Sequence, residues 1–346
     1  VTTPIRVKFL CRMDPSVWRR QLPGDGTAWG PCEFLFDREA RDYDWAVVYN
    51  DLPSRAGERF SLGEEVLACP AAHTVLVTTE PSSIKAYGSR YTAQFGLVLT
   101  SQAPWALPHP GRVYSQPALH WIYGLGSGHV VGYDALAAMA PPQKTGMVST
   151  VCSSKRQRHT LHRKRYDFTQ AVKAQLPELD VFGRGVRPVD DKAEALDPYR
   201  YHIAIENQIA PHHWTEKLAD AFLGFTLPFY CGCPNAAEYF PEESYIPIDL
   251  DDPGRAVELI RQAIDEGAYE RRLPAILEAR RRVLEEHNLF AVLAREIAKR
   301  HGPAPAPVEP AVLRSRRLLR RGHALVAAEQ LYEKLRGRVL TALGRD

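Results

Sequence analysis

The 346-residue sequence has no apolar run approaching the roughly 20 residues that a membrane-spanning helix needs. Its opening stretch, VTTPIRVKFLCRMDP, lacks the hydrophobic segment of a secretory signal, so a cytoplasmic protein is expected. Cysteine is scarce: six residues in a chain this long do not make a disulfide scaffold, and none stands in a C-x-x-C pair of the zinc or redox kind. The one close pair, Cys231 and Cys233, ends the run TLPFYCGC, where alternation places both thiols on one strand face as small buried hydrophobes. G-x-x-x-x-G-K-[ST], H-E-x-x-H and G-x-S-x-G are all missing, which removes P-loop hydrolysis, zincin chemistry and the nucleophile-elbow hydrolases. Gly124-Leu-Gly126-Ser-Gly128 has the wrong spacing for a dinucleotide fingerprint and follows no strand-like run. Neither sign of charge dominates: 44 Lys+Arg face 41 Asp+Glu, with 45% hydrophobic residues, as in a folded protein and unlike a disordered or collagen-like chain.

What is present is alternation. At roughly 150 residues per domain the length suggests two domains. Short β-branched runs at 5–10 (IRVKFL), 45–49 (WAVVY), 74–78 (TVLVT) and 96–100 (GLVLT) suit buried, mostly parallel strands. The second half repeats the pattern at 147–152, 179–182, 201–205, 227–230 and 245–248, with an amphipathic stretch over 165–176. This predicts two doubly wound, Rossmann-like α/β domains facing a cleft, whose ligands lie beyond the carboxyl ends of the strands. MAPPQKT at 139–145 has linker composition, so the domains are placed at 1–140 and 141–302, with charged helices over 255–300 closing the second. Residues 303–346 hold nine Lys and Arg against four Asp and Glu, which leaves the rest of the chain near neutral. Four prolines at 303–310 mark a stiff linker, and the leucines that follow recur among arginines at helical spacing. Such a basic amphipathic tail suits peripheral attachment to an anionic membrane surface, and packing on the body or against a second copy in a homodimer fits the same pattern.

The segment 201–248 carries the most chemistry. A strand (YHIAI) ends at Glu206-Asn207, and a helix begins near Thr215, its N-cap, with Leu218, Ala221, Phe222 and Phe225 as a buried stripe. Glu216 and Lys217 then lie in the first turn, past the strand's carboxyl edge, where free amides and the positive helix end favour a phosphate. Lys217 could neutralise a diphosphate, and Glu216 suits ribose hydroxyls. Glu206-Asn207, Thr215-Glu216-Lys217, Pro228, Tyr230-Cys-Gly232-Cys-Pro234-Asn235, Tyr239-Phe240-Pro241 and Ser244 together resemble the donor-binding signature of the family 10 glycosyltransferases, the inverting α-1,3/1,4-fucosyltransferases. The resemblance implies a GT-B arrangement and a GDP-sugar donor, GDP-fucose, held by the second domain through Asn207, Glu216, Lys217 and Tyr230.

A second stretch, VCSSKRQRHTLHRKR at 151–165 followed by Phe168, Val172 and Val181-Phe182-Gly183, also resembles the family. On that match Arg165 binds the diphosphate, with Arg163 two residues away as the alternative contact; a guanidinium fork suits phosphate oxygens. Lys192 and Tyr199 match more weakly. In the first half, Glu80 follows the strand TVLV where the family carries its base glutamate, although Thr79 and Pro81 depart from the family's T-G-E-N. The resemblance therefore implies Glu80 as catalytic base and a glycan or glycolipid acceptor. Trp121 and Tyr123 resemble the end of the acceptor domain and read as packing. Asp249-Leu-Asp251-Asp252 invites a metal reading, but its turn composition and the resemblance both argue for none. No cofactor is required, although a divalent cation could assist diphosphate binding. A transferase for another nucleotide sugar and a non-catalytic sugar-nucleotide or polyanion binder are the rival readings; no specific nucleic-acid partner is expected.

Overall fold

The computed structural model describes residues 3–116, 120–154, 161–302, 310–322 and 324–342. The basic stretch 155–160, the prolines at 303, 305 and 307, and the last four residues lie outside them. The chain divides into two compact units, Val1–Ala118 with Leu289–Asp346, and Leu119–Asn288. Both are α/β with mainly parallel sheets, as expected.

Fourteen strands occur among the described residues: β1 Ile5–Leu10, β2 Ala28–Trp29, β3 Cys32–Leu35, β4 Trp45–Tyr49, β5 Glu64–Val66, β6 Thr74–Val77, β7 Leu97–Thr100, β8 Arg112–Tyr114, β9 Gly146–Val151, β10 Asp180–Phe182, β11 Tyr199–Ile205, β12 Leu227–Cys231, β13 Ile246–Pro247 and β14 Val312–Arg314. In the first unit the sheet order is β2-β3-β1-β4-β6-β7-β8. Every pairing is parallel except the β2–β3 hairpin. In the second it is β10-β9-β11-β12-β13, parallel throughout. The order of strands in the second sheet therefore reverses between β9 and β11, which stand side by side. A crevice opens at such a point because the flanking connections leave on opposite faces.

Period-two alternation explains why the second sheet is covered on both sides. Tyr201, Ile203 and Ile205 of β11 face one cluster, with Phe168 and Val172 of the helix His162–Gln175 and Ile260 of the helix Pro253–Asp265. Ala204 faces the other, with Leu218 and Phe222 of the helix Glu216–Leu223 and Ala279 and Val283 of the helix Ala268–Glu285. Each fully buried Leu or Phe of this kind contributes about 1.5–3 kcal/mol.

The unit boundaries differ from those expected at 140/141 and 302/303. Trp121, Tyr123 and Leu136 are buried in the cluster with Leu218 and Phe222, so the second unit begins before the Pro-rich 139–145 stretch. At the other end, Leu289, Phe290, Leu293 and Ile297 of the helix Leu289–Ala298 are buried with Val7, Phe9 and Phe34 of the first unit. Shape and apolar contact decide membership; a linker-like composition does not. The cysteine expectation also needs correction: Cys231 is packed in one cluster and Cys233 in the other, because β12 ends at Cys231 and the chain turns at Gly232. Both thiols are buried, and burial pushes each up to about 11.

The basic tail packs on the first unit. β14 pairs antiparallel with β5, setting Leu313 opposite Glu65, and Leu313 is buried with Leu52 and Tyr87. Ser315 Oγ donates to Ser61 O at 3.0 Å, and Arg90 makes a two-armed contact to Glu329 at 2.7 and 3.0 Å. The helix Ala324–Ala342 buries Val326 but leaves Leu325, Leu331, Tyr332, Leu335 and Val339 exposed. Among the described residues no helix is long and apolar enough to cross a membrane.

Candidate functional site

The crevice beside β9 and β11 is a cavity of about 310 Å³ lined by residues of the second unit alone. Val151 and Ser153 come from the end of β9, and Ile205 and Asn207 from the end of β11. Arg165 enters from the helix His162–Gln175, Lys192 from a short 3-10 turn, and Glu216 and Lys217 from the helix Glu216–Leu223. Of the expected donor-binding residues, the fold thus gathers Arg165, Asn207, Glu216 and Lys217 at one place.

The helix start is built as the sequence predicts. Thr215 is the N-cap, its hydroxyl accepting from Lys217 N at 3.3 Å. Glu206, at the end of β11, accepts from both Thr215 N at 2.8 Å and Thr215 Oγ1 at 2.6 Å, tying strand to helix. The expectation of free amides for a phosphate is corrected here, because two of them already serve Glu206 and the Thr215 hydroxyl. What this edge offers an anion is side-chain charge. Gly232 makes the junction possible: a Cβ there would collide with Glu206 Cγ and the Tyr230 hydroxyl. Gly183, at φ +131°, plays the same part after β10, where a Cβ would lie 2.6 Å from Cys152 O.

The two lysines are paired. Lys217 Nζ lies 2.8 Å from Glu216 Oε1 and 3.7 Å from Glu206 Oε2. Lys192 Nζ lies 2.9 Å from Asp220 Oδ2, whose side chain is fully buried. Burial alone would raise Glu216, but Lys217 and Lys192 outweigh it and hold the carboxyl at about 2. Burial likewise would lower Lys217, and the charges of Glu216 and Glu206 more than restore it. Glu206 and Asp220 are shifted upward by burial.

Arg165 differs. Its Nη1 donates to the neutral amide oxygen of Asn207 at 2.5 Å and its Nη2 to Val151 O at 3.5 Å. Its Nε is buried without a hydrogen-bond partner among the described residues. A guanidinium held by an amide and a carbonyl, with a buried donor left over, is one prepared for an anion. Arg163 is exposed on the same helix, lies 3.5 Å from Asp167, and borders a separate depression with Lys164 and Asp251. The structure places Arg165, and not Arg163, in the cavity.

Tyr230 does not reach the cavity. Alternation along β12 turns it into the core with Trp214 and Phe240, where its hydroxyl accepts from Cys233 N at 2.9 Å. Asn235 accepts from His212 N at 2.7 Å and so fixes the loop that precedes Thr215. Tyr199 donates to Asp180 at 2.7 Å, away from the cavity lining. Lys192 was only a weak sequence match; its lysine-to-strand spacing was the available signal, and its pairing to Asp220 depends on tertiary structure. Asp251 pairs with Lys164 at 2.6 Å, and Asp252 caps the helix Pro253–Asp265 through Arg255 N at 2.9 Å. No group of three or more potential metal-binding His, Cys, Asp or Glu side chains occurs among the described residues.

In the first unit, Glu80 lies three residues beyond the end of β6. Gln102 Nε2 donates to Glu80 O at 2.7 Å and to Lys85 O at 2.9 Å, pinning the intervening loop. Lys85 Nζ contacts Asn50 Oδ1, which also accepts from Tyr87 OH at 2.9 Å. Burial, together with the charge of Arg316, lowers the Lys85 amine to about 7 against the opposing pull of Asp51 and Glu80.

A doubly wound parallel sheet with an arginine-bearing cavity at its switch point has the geometry of an α/β ligand-binding domain suited to an anion. Residues 141–265 match glycosyltransferase family 10 (fucosyltransferase), C-terminal part. An alpha-(1,3)-fucosyltransferase, FucT, of Helicobacter pylori is 31% identical over 74 residues, which cover 21% of this chain and 16% of that protein. The chain therefore aligns with only a small part of that relative's length. Among solved structures, an α1,3-fucosyltransferase with GDP is 15% identical, with a TM-score of 0.45, covering 83% of this chain and 92% of that one. An α1,3-fucosyltransferase with GDP-fucose is 14% identical, with a TM-score of 0.45, covering 96% and 90%.

Proposed function

We propose that the protein is an inverting glycosyltransferase, an α-1,3-fucosyltransferase in kind, moving fucose from GDP-fucose to a hydroxyl of a glycan or glycolipid. The observation that carries this reading is Arg165, whose half-buried guanidinium has no carboxylate partner among the described residues and lines the switch-point cavity of a segment that matches family 10. A diphosphate leaving group needs positive charge as its bond to the sugar breaks, and Arg165 with Lys217 supplies it. Asn207 orients the guanidinium, and Glu216, ionised at any ordinary pH, accepts from ribose hydroxyls. Glu80 takes the proton from the acceptor hydroxyl, whose oxygen displaces the diphosphate in line and inverts the anomeric centre. A β-linked donor then yields an α linkage. The reading needs no cofactor; a divalent ion would act only by helping to neutralise the diphosphate, so transfer persists in chelator.

The same proposal includes a cytoplasmic, peripheral location. The tail that exposes Leu325, Leu331, Tyr332 and Leu335 also carries Arg321 and Lys334, a match for an anionic lipid surface. Cosedimentation with vesicles containing anionic lipid, compared with neutral vesicles, tests that placement; size-exclusion chromatography shows whether the same face instead joins two copies.

The donor assignment is tested by thermal stabilisation with GDP, GDP-fucose, UDP, CMP and dTDP, repeated with Arg165→Ala. Stabilisation by GDP and GDP-fucose that disappears in the variant is expected. Stabilisation by another nucleotide keeps the transferase and discards fucose, and no response to any nucleotide removes the donor site.

A further inference from the structure

The carboxyl edge of the first unit's sheet gathers cations from four separate stretches of chain. Arg12 follows β1, Arg59 lies in the loop before β5, Lys85 follows β6, and Arg316, Arg317 and Arg320 belong to the short helix Arg316–Gly322 of the tail. Two aromatic rings organise them. The guanidinium groups of Arg59 and Arg317 lie 5.1 and 4.1 Å from the centre of the Phe60 ring, which is exposed. Arg316 and Lys85 lie 5.2 and 4.4 Å from the centre of the Tyr87 ring. Arg12 Nη2 donates to Arg59 O at 3.1 Å, adding a further guanidinium beside Phe60.

Two other cations of this unit are neutralised, Lys8 by Glu65 at 2.7 Å and Arg90 by Glu329. In the cluster, the carboxylates that Lys85 and Arg320 feel are Asp51 and Glu80. Asp51 Oδ1 already accepts from Leu52 N at 2.9 Å and Arg316 N at 3.2 Å. Arg316 is itself structural, donating to Tyr87 O at 3.0 Å and to Ala86 O. That leaves Arg12, Arg59 and Arg317 gathered around Phe60, with Arg320 one turn along the helix from Arg317, and none of the four is ion-paired to a carboxylate among the described residues. Burial lowers the Arg320 guanidinium, and its neighbours Arg316 and Arg317 lower it further. Gathering like charges costs energy unless a ligand of opposite sign repays it, and guanidinium forks beside an aromatic face suit a phosphate or carboxylate on a saccharide.

We propose that this cluster is an acceptor subsite for an anionic group, a phosphate ester or a carboxylate carried by the saccharide that receives the sugar. The inference rests on the reading of Glu80 as the base, which Gln102 pins in the same loop as Lys85. It also gives the tail a role in recognition: Arg317 and Arg320 reach this edge because β14 docks on β5.

Calorimetric titration of the full chain tests it, with lactose, lactose 1-phosphate and 3′-sialyllactose as probes. The titrations are run at about 0.05 M and about 0.3 M salt, a range over which screening of exposed charges strengthens. At least one charged disaccharide is expected to bind about tenfold or more tighter than lactose, less so at the higher salt, and which one does so separates phosphate from carboxylate. Arg317→Ala/Arg320→Ala should abolish the preference while GDP affinity stays unchanged. Equal or absent binding of all three disaccharides, or a preference that survives in the variant, overturns the proposal. Failure of GDP to bind the wild-type chain is a separate result and removes the donor reading.

Discussion

In the second unit the carboxyl edge of the sheet keeps its lysines in ion pairs, Lys217 with Glu216 and Glu206, and Lys192 with Asp220. In the first unit the corresponding edge draws Arg12, Arg59 and Arg317 together around Phe60, none of them ion-paired to a carboxylate among the described residues. The paired network is buried and tied to a helix N-terminus, so its geometry is set before any ligand arrives. There, Arg165 is held by neutral oxygens and is therefore available to an anion. The cluster in the first unit is more exposed and its charge is unbalanced, a design suited to selecting among partners by sign. A parallel sheet supplies the position of a site, and the pairing of its charges decides whether that site is rigid or recruiting.

The largest effect expected from this contrast is on turnover. Glu80→Gln should lower transfer by about 10²–10⁴-fold while leaving GDP affinity within about twofold of wild type. Wild-type turnover in that variant would remove Glu80 from the mechanism.

Next comes the paired network. Lys217→Met leaves Glu206 buried without its cation and should destabilise the second unit by about 3 kcal/mol, read from chemical unfolding of the full chain. Lys217→Met/Glu206→Gln should recover part of that loss. If the single variant is as stable as wild type, the pairing does not hold the helix start.

A smaller effect separates the two arginines. Arg165→Ala should weaken GDP binding by about 10- to 100-fold, the worth of a charge-assisted contact, and Arg163→Ala by less than about twofold. The reverse order would place the diphosphate outside the switch-point cavity.

The smallest effect is on pH dependence. His202 is buried beside Ser149, at 2.8 Å from its hydroxyl, and burial pushes it down to about 3, with Lys192 adding to the shift. An unfolded His202 takes up its proton near its ordinary value of 6.5, whereas the folded one resists until about 3. The unfolded state therefore binds more protons between these values, and stability falls as pH drops through that window. By pH 5 the loss due to His202 should reach about 1–2 kcal/mol, and His202→Asn should show a correspondingly shallower decline in melting temperature. Parallel declines in the two proteins would show that His202 is not the titrating group.

The strands at 5–10, 45–49, 201–205 and 227–230 were legible because each is a β-branched or aromatic run with a clear boundary. Thr215 was legible as a cap because the buried stripe Leu218, Ala221 and Phe222 fixes where the helix must begin. β14 was not, since the sequence VLR is too short to show a period and becomes a strand only by finding β5. Tyr230 shared a motif with cavity residues yet faces the core, because one step along β12 moves a side chain to the opposite face. The linker-like stretch at 139–145 misplaced the domain boundary for a related reason: Trp121 and Tyr123 carry no local sign of which core will bury them.

By itself, the sequence determined the α/β class, the helix start at Thr215 and the presence of Glu206, Asn207, Glu216 and Lys217 near a strand end. Those features depend on local periodicity, capping and residues only a few positions apart. Tertiary structure alone decided that Arg165 and not Arg163 enters the cavity, that Lys192 joins the network through Asp220, and that the helix Leu289–Ala298 returns to the first unit. It also decided that Arg317 of the tail shares the Phe60 ring with Arg59, beside Arg12. These pairings join residues far apart in the chain, and packing brings them together through burial and strand pairing that no local pattern encodes.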